Sequence, residues 1–164
     1  FGPGTTFHRV LWDDAQLTGG LKADKDIRRV VLCTGKVYFD LLEEREKRGI
    51  DDIYLMRVEQ LYPFPRKALT EELGRFKRAE VVWCQEEPEN MGAWTFIDRR
   101  LEAIMIEHGM SPDRPRYVGR PDAAAPATGI MQRHLEEQAK LVDEALTLPL
   151  KPKARRTSRK RKAK

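Results

Sequence analysis

Cysteine is scarce in this chain of 164 residues: only Cys33 and Cys84 occur, each closing an apolar run. So small a supply excludes a disulfide-stapled scaffold and fits two buried free thiols in a reducing compartment. No apolar stretch approaches the length of a membrane span, so no membrane is expected among the partners. Histidine is limited to His8, His108 and His134, scattered without metal-ligand spacing to the cysteines. The G-x-S-x-G elbow, the G-x-G-x-x-G fingerprint and the P-loop are all missing. Catalytic, cofactor-binding and metal-ligating residues are therefore all expected to be none. The chain opens Phe1-Gly2-Pro3-Gly4 without an initiator Met or a charged-then-apolar leader, and reads as the interior of a longer polypeptide.

What is present suffices for one domain, with 40% hydrophobic residues to build a core. The formal charge of +5 is unevenly placed. Residues 151–164 hold nine Lys/Arg and no acid, so residues 1–150 carry 22 basic against 26 acidic side chains, a net of −4. A mildly acidic body argues against a nucleic-acid-binding domain. The basic tail, 149–164, is expected to stay disordered and solvated. Its alternative is non-specific, salt-sensitive binding to RNA, DNA or an acidic partner surface.

Along the chain, short continuous apolar runs alternate with amphipathic stretches. Residues 29–33, 53–58 and 80–84 read as buried strands, and 116–119 as a shorter one. The pattern turns helical from 36 to 48, where Tyr38, Leu41 and Leu42 share a face and Glu43/Lys47 and Glu44/Arg48 make i,i+4 pairs before a Gly49 cap. Pro65 suits the first turn of a helix carrying Leu69, Leu73 and Phe76. Residues 85–94 read as a loop, followed by a helix with Ile97, Leu101 and Ile104 aligned. After an Ala/Pro loop at 121–126, Thr128 reads as the N-cap of a last helix burying Met131, Leu135, Val142 and Leu146. Residues 7–12 supply a possible edge strand within a lead-in, 1–26, to the domain at 27–148. Strands alternating with helices predict an α/β fold with a mostly parallel sheet covered on both faces.

In such sheets function gathers at the carboxyl ends of the strands. At Thr34-Gly35-Lys36 a glycine and a lysine before a helix can hold an anion, or can simply form a turn with a solvent-facing lysine. Glu86 and Glu87 are paired carboxylates, but neighbours in extended backbone point to opposite sides and do not converge on one atom, so a structural or interface role is expected. The aromatic, proline-rich Gln60-Leu61-Tyr62-Pro63-Phe64-Pro65 either docks against something outside the chain or packs on its own following helix. Trp83 and Trp94 are expected as core or interface anchors.

Three motifs carry a resemblance. Val31-Leu32-Cys33-Thr34-Gly35-Lys36-Val37-Tyr38-Phe39-Asp40, Arg57-Val58-Glu59-Gln60-Leu61-Tyr62-Pro63-Phe64-Pro65, and Val82-Trp83-Cys84-Gln85-Glu86-Glu87-Pro88-Glu89-Asn90-Met91-Gly92-Ala93-Trp94 occur in that order. With Tyr117-Val118-Gly119-Arg120-Pro121, the chain over roughly 27–147 closely resembles the carboxy-terminal domain of the thiamine-diphosphate-dependent decarboxylating component of 2-oxoglutarate dehydrogenase. The resemblance implies a transketolase-like C-terminal domain, three-layer α/β/α, whose five-stranded sheet is parallel except for one antiparallel edge strand at 7–12. It implies a tricarboxylic-acid-cycle enzyme that decarboxylates 2-oxoglutarate on thiamine diphosphate and Mg²⁺ and passes the succinyl group to a lipoyl domain. The family's cofactors sit in two preceding domains at a homodimer interface. The partners implied are those domains, the second subunit, and the succinyltransferase and lipoamide dehydrogenase components. The setting is cytoplasmic in a bacterium, or the mitochondrial matrix in a eukaryote.

On that resemblance this region is an assembly and dimerisation domain, inactive alone. Gln85, Glu86, Glu87, Pro88, Asn90, Trp94, Tyr62 and Phe64 are expected at interfaces or in loop architecture, and Lys36, Arg57 and Arg66 are candidates for an effector phosphate. The strands ending at Cys33 and Cys84 are expected as neighbours, their thiols close together and reduced. Two other functions compete: a stand-alone anion- or nucleotide-binding module using the Gly35 turn, and a nucleic-acid-associated protein acting through the tail.

Overall fold

The computed structural model describes residues 7–125 and 129–148. The chain runs β1 (Val10–Leu11), β2 (Arg29–Cys33), α1 (Val37–Lys47), β3 (Ile53–Val58), α2 (Arg66–Leu73), β4 (Glu80–Pro88), α3 (Trp94–Glu107), β5 (Arg116–Arg120) and α4 (Met131–Leu146). The strands form one sheet in the order β1-β3-β2-β4-β5, parallel except for β1, which pairs antiparallel with β3. The mixed five-stranded sheet and its antiparallel edge strand match the expectation. The paired part of that edge is only two residues long, with Phe7 and Trp12 exposed on either side.

Continuous apolar runs make β2, β3 and β4 buried on both faces. Alternate side chains go to two cores. One joins Val30, Leu32, Met56 and Trp83 to Leu69 and Leu73 of α2 and Ile97 and Leu101 of α3. The other joins Val31, Leu55 and Val82 to Leu41 of α1 and Leu141, Val142 and Ala145 of α4. Helices α2 and α3 thus cover one face, and α1 and α4 the other. Cys33 and Cys84 are in register on neighbouring strands, both buried and both free.

Helix α1 ends as its sequence asks. Gly49 has φ +61°, and Ile50 N–H reaches back to Arg45 O at 3.1 Å, closing the last carbonyls. On its outer face Lys47 pairs with Glu44 rather than Glu43, at 3.2 Å, and Glu44 also binds Arg48 at 2.7 Å. The inner face holds a charge: Arg45, buried, clasps the buried Asp13 of the lead-in through both guanidinium Nη atoms. Asp13 further accepts Leu55 N–H at 2.8 Å and Ala15 N–H at 3.1 Å, which ties 13–16 to β3 and α1.

Three boundary expectations need correction. β4 runs to Pro88, so residues 85–88 are strand and not loop. Beyond Cys33 its β2 side is free, which lets Pro88, lacking an N–H, stay extended against β5 alone. Trp94 lies in the first turn of α3, not in the loop. Helix α4 begins at Met131 with Ile130 as N-cap, while Thr128 lies outside the described residues. Val142 and Leu146 are buried as expected, but Met131 and Leu135 are not: they are 72% and 60% exposed. All four fall on one helical stripe, yet the sheet ends before the first turns of the helix do. Arg120, the last residue of β5, already contacts His134 and Gln138, so Ile130 and Met131 overhang the sheet. The tail at 149–164 and the end of the Ala/Pro loop lie outside the described residues.

Candidate functional site

The strand order reverses at β2, whose two neighbours are β3 and β4. The crevice above the carboxyl ends of β2 and β4 is therefore where a doubly wound sheet usually receives a ligand. Lys36 and Glu86 meet there: the ammonium donates to Glu86 Oε1 at 2.6 Å, and Asp40 lies 4.0 Å away. The hydrogen bond to Glu86 raises the Lys36 pKa and keeps its charge compensated. Gly35 has φ +72°, so the turn that presents Lys36 uses glycine's freedom.

Gln85 organises the β4 side. Its buried amide Oε1 accepts Trp83 Nε1–H at 2.9 Å and Trp94 N–H at 3.0 Å, while Nε2 donates to Pro88 O at 3.1 Å and Met91 O at 2.8 Å. One side chain thereby satisfies the groups that the β4–α3 turn leaves unpaired. The register against β5 jumps here, from Cys84 opposite Val118 to Pro88 opposite Arg120. Gly119 permits that bulge, since a Cβ on it would lie 2.8 Å from Gln85 O and would collide with Tyr117 Oη. The one proton of Tyr117 Oη is shared between Arg120 O at 2.7 Å and Glu87 O at 2.9 Å, and its ring lies 5.4 Å from that of Trp94.

Glu86 faces Lys36, whereas the Glu87 side chain is exposed, so the two carboxylates do diverge. Asn90 holds residue 123 of the Ala/Pro loop twice, donating to Ala123 O at 3.0 Å and accepting Ala123 N–H at 3.2 Å. Gln85, Glu86, Glu87, Pro88, Asn90 and Trp94 therefore form one unit, and Lys36 joins it. Arg120, which carried no assignment in the sequence, ties the unit to α4. It donates to Glu86 O and to His134 Nδ1 at 3.1 Å, and it pairs with Glu137 at 3.0 Å. The signal was an arginine closing a short strand, next to the glycine of the bulge. Pro88, Arg120, Ala123, Ile130 and Arg133 line a groove of about 390 Å³ beside it.

The other candidates lie apart. Phe64 packs against the α2/α3 core while Tyr62 stands 81% exposed, so the aromatic loop divides between its two readings. Arg57 pairs with Glu59 at 2.6 Å and sits over the rings of Tyr38 and Phe39. Arg66 binds Glu107, in the last turn of α3, at 2.8 Å. The three effector-phosphate candidates thus do not converge, and each is held by a carboxylate. Among the described residues no three His, Cys, Asp or Glu side chains group as metal ligands. With Lys36 neutralised and Glu86, Glu87 and Glu89 on the same rim, these groups do not fit a diphosphate–Mg²⁺ pair.

The exposed large hydrophobic side chains are unevenly spread. Of nine among the described residues, six flank the carboxyl end of the sheet: Phe7, Phe39, Tyr62, Ile130, Met131 and Leu135.

Comparison with known proteins finds a match to the family model described as 2-oxoglutarate dehydrogenase C-terminal over residues 1–146. The 2-oxoglutarate dehydrogenase E1 component of Brucella anthropi is 62% identical over 146 residues, which are 87% of this chain and 15% of that protein. The E1 components of Brucella ovis and Brucella abortus are likewise 62% identical over 146 residues, 14% of each protein. The chain spans about 15% of the length of the curated relatives it matches. A solved split-gene transketolase, described as an inactive β4 tetramer, aligns with a TM-score of 0.48 and 16% identity, over 89% of this chain and 44% of that one.

Proposed function

Because the chain belongs to the 2-oxoglutarate dehydrogenase C-terminal family, we propose that it is the assembly and dimerisation domain of a 2-oxoglutarate dehydrogenase E1 component. In this reading the whole polypeptide decarboxylates 2-oxoglutarate on thiamine diphosphate and Mg²⁺ and delivers the succinyl group to the succinyltransferase component. Lipoamide dehydrogenase completes the complex, in the bacterial cytoplasm or the mitochondrial matrix. The cofactor belongs to preceding domains, and this domain contributes surface instead of chemistry.

The observation that carries the reading is the clustering of six of the nine exposed large hydrophobics at the carboxyl end of the sheet. An apolar rim there matches a surface buried against other parts of the same assembly. Lys36, Glu86 and Gln85 meanwhile hold the adjoining loops rigid by bonds within the chain, so the rim is preformed. The competing anion-module reading needs a free cation at the crevice, and Lys36 is already paired.

The test uses the full-length polypeptide that carries this chain. Met131→Glu with Leu135→Glu is expected to dissociate the dimer in light scattering and to abolish 2-oxoglutarate turnover, with the domain's circular dichroism unchanged. A variant that stays dimeric and active overturns the assignment of this rim. The 164-residue chain alone is expected to neither turn over 2-oxoglutarate nor bind thiamine diphosphate in calorimetry, and turnover by it would overturn the assembly role.

A further inference from the structure

The two edges of the sheet are built differently. Along β3 the outer edge is closed: β1 pairs with Val58 and Arg57, Asp13 accepts Leu55 N–H at 2.8 Å, and Arg45 donates to Ile53 O at 3.2 Å. Side chains there occupy the backbone groups that an incoming strand would need. Strand β5 forms the other edge. Among the described residues no hydrogen bond from outside β4 reaches the backbone of 116–119. Alternate residues of an edge strand turn their N–H and C=O outward, so about two of each face away from the sheet here.

A trough follows this free edge, with β5 on one side and α4 on the other. It consists of two depressions, of about 620 and 460 Å³, that share Lys140 and Glu144. The first reaches Arg116 at the amino end of β5, and the second reaches Pro121 just past its carboxyl end. The trough therefore accompanies the whole strand, a length of about 16 Å. Most of its charges are settled within the chain. Arg116 binds Glu80 at 2.9 Å and Glu144 at 2.8 Å, while Arg120 and Arg133 bind Glu137 at 3.0 and 2.9 Å. The arginines at both ends of β5 are thus held by the fold and do not guard its edge. Lys140 and Glu89 are exposed and have no ion-pair partner among the described residues. Lys140 stands beside Leu141, which shares a core with Val118 at the middle of β5.

These charges select the occupant. A second copy, paired about a two-fold axis at the middle of β5, would set Lys140 against its own equivalent. A strand of different sequence can place a carboxylate there instead. We propose that β5 accepts an extended segment of another polypeptide as a further strand, with an acidic side chain facing Lys140 and an apolar one against the half-buried Tyr117. The main-chain bonds along 116–119 supply the affinity, and the α4 wall selects the sequence. This surface lies along the flank of the sheet and does not rest on the assembly reading.

The probe is a capped, fluorescein-labelled heptapeptide of alternating valine and threonine with aspartate at its centre. It is titrated by anisotropy into the full-length polypeptide that carries this chain. Saturable binding is expected, at least about tenfold weaker for the same peptide with lysine at its centre. Lys140→Glu, an exposed change on α4, should reverse that preference. N-methylation of one alternate set of peptide amides should abolish binding, and of the other set should not. Hydrogen exchange should slow at 116–119 when the aspartate peptide binds. No saturable binding up to about 1 mM overturns the proposal, as do equal affinities for the two peptides or an unchanged preference in Lys140→Glu. Binding that survives both N-methylated sets, or slowed exchange confined to other residues, refutes strand addition at β5. Protection of 116–119 that grows with protein concentration in the absence of peptide shows a second copy at this edge and overturns the choice of occupant.

Discussion

Removing the Asp13 carboxylate tests whether the lead-in is part of the fold or an appendage to it. Asp13 and Arg45 are 2% exposed, and among the described residues each is the other's only charged partner. In Asp13→Ala the guanidinium keeps a single acceptor, Ile53 O at 3.2 Å, while Leu55 N–H and Ala15 N–H lose theirs. Breaking a buried pair from one side costs about 3–5 kcal/mol, since the remaining charge stays dehydrated. Against a typical total of about 5–15 kcal/mol this is about a fifth or more of the stability, or roughly 10 °C in Tm. Urea unfolding followed by tryptophan fluorescence reads it directly. The double variant Asp13→Leu/Arg45→Met leaves no buried charge and should recover about 2 kcal/mol or more, keeping a deficit for the orphaned Leu55 N–H. A single variant within about 1 kcal/mol of the parent would refute the reasoning, as would a double equal to the sum of its singles.

Gly119→Ala should destabilise by about 1–3 kcal/mol in the same assay. The new Cβ meets Tyr117 Oη, which two carbonyls hold in place, and Gln85 O, which is backbone. An Ala variant as stable as the parent would show that the bulge is not tight. Gln85→Leu strands the Trp83 indole N–H and the Trp94 N–H; a loss of about 3 kcal/mol and a changed near-ultraviolet tryptophan signal are expected. The two thiols predict alkaline behaviour. Burial pushes Cys84 up to about 12 and Cys33 well above its ordinary value, so the folded chain keeps protons that the unfolded chain sheds. Their contribution is intact below about pH 8.5 and is lost as pH rises, with a slope approaching about 2.7 kcal/mol per unit for two thiols. Cys33→Ala/Cys84→Ala should flatten that slope in urea titrations between pH 8 and about 10.5, and identical slopes would contradict it.

Strands β2 and β3 are legible in the sequence to the residue, because a strand buried on both faces is a near-continuous apolar run and both end at polar turns. What surrounds them is less so. Arg29 opens β2 and Arg45 lies inside α1, and the local sequence names a partner for neither. Their burial depends on partners 32 to 118 residues away: Asp13 for Arg45, and Glu80 and the carbonyls that end α4 for Arg29. Pattern reasoning weighs windows of a dozen residues and cannot place charges whose solvation is supplied from so far off. The extension of β4 through Pro88 fails to show for a related reason. Four polar or proline residues in a row read as loop until β5 stands beside them.

The candidate site divides along the same line. Lys36 and Glu86 each stood out as strand-end charges, and their meeting follows from a strand order that places β2 beside β4. Local spacing carries no such order. Helix α4 makes the point physically. Met131, Leu135, Val142 and Leu146 repeat at the helical period, and that period states correctly which way the face looks. How much of the face is covered depends on the layer beneath, and β5 stops at Arg120, level with His134 and Gln138. The C-terminal half of the stripe is therefore core, and its first turns are surplus apolar surface. Burial of Val142 and Leu146 stabilises this domain, whereas Met131 and Leu135, left exposed, add little to it.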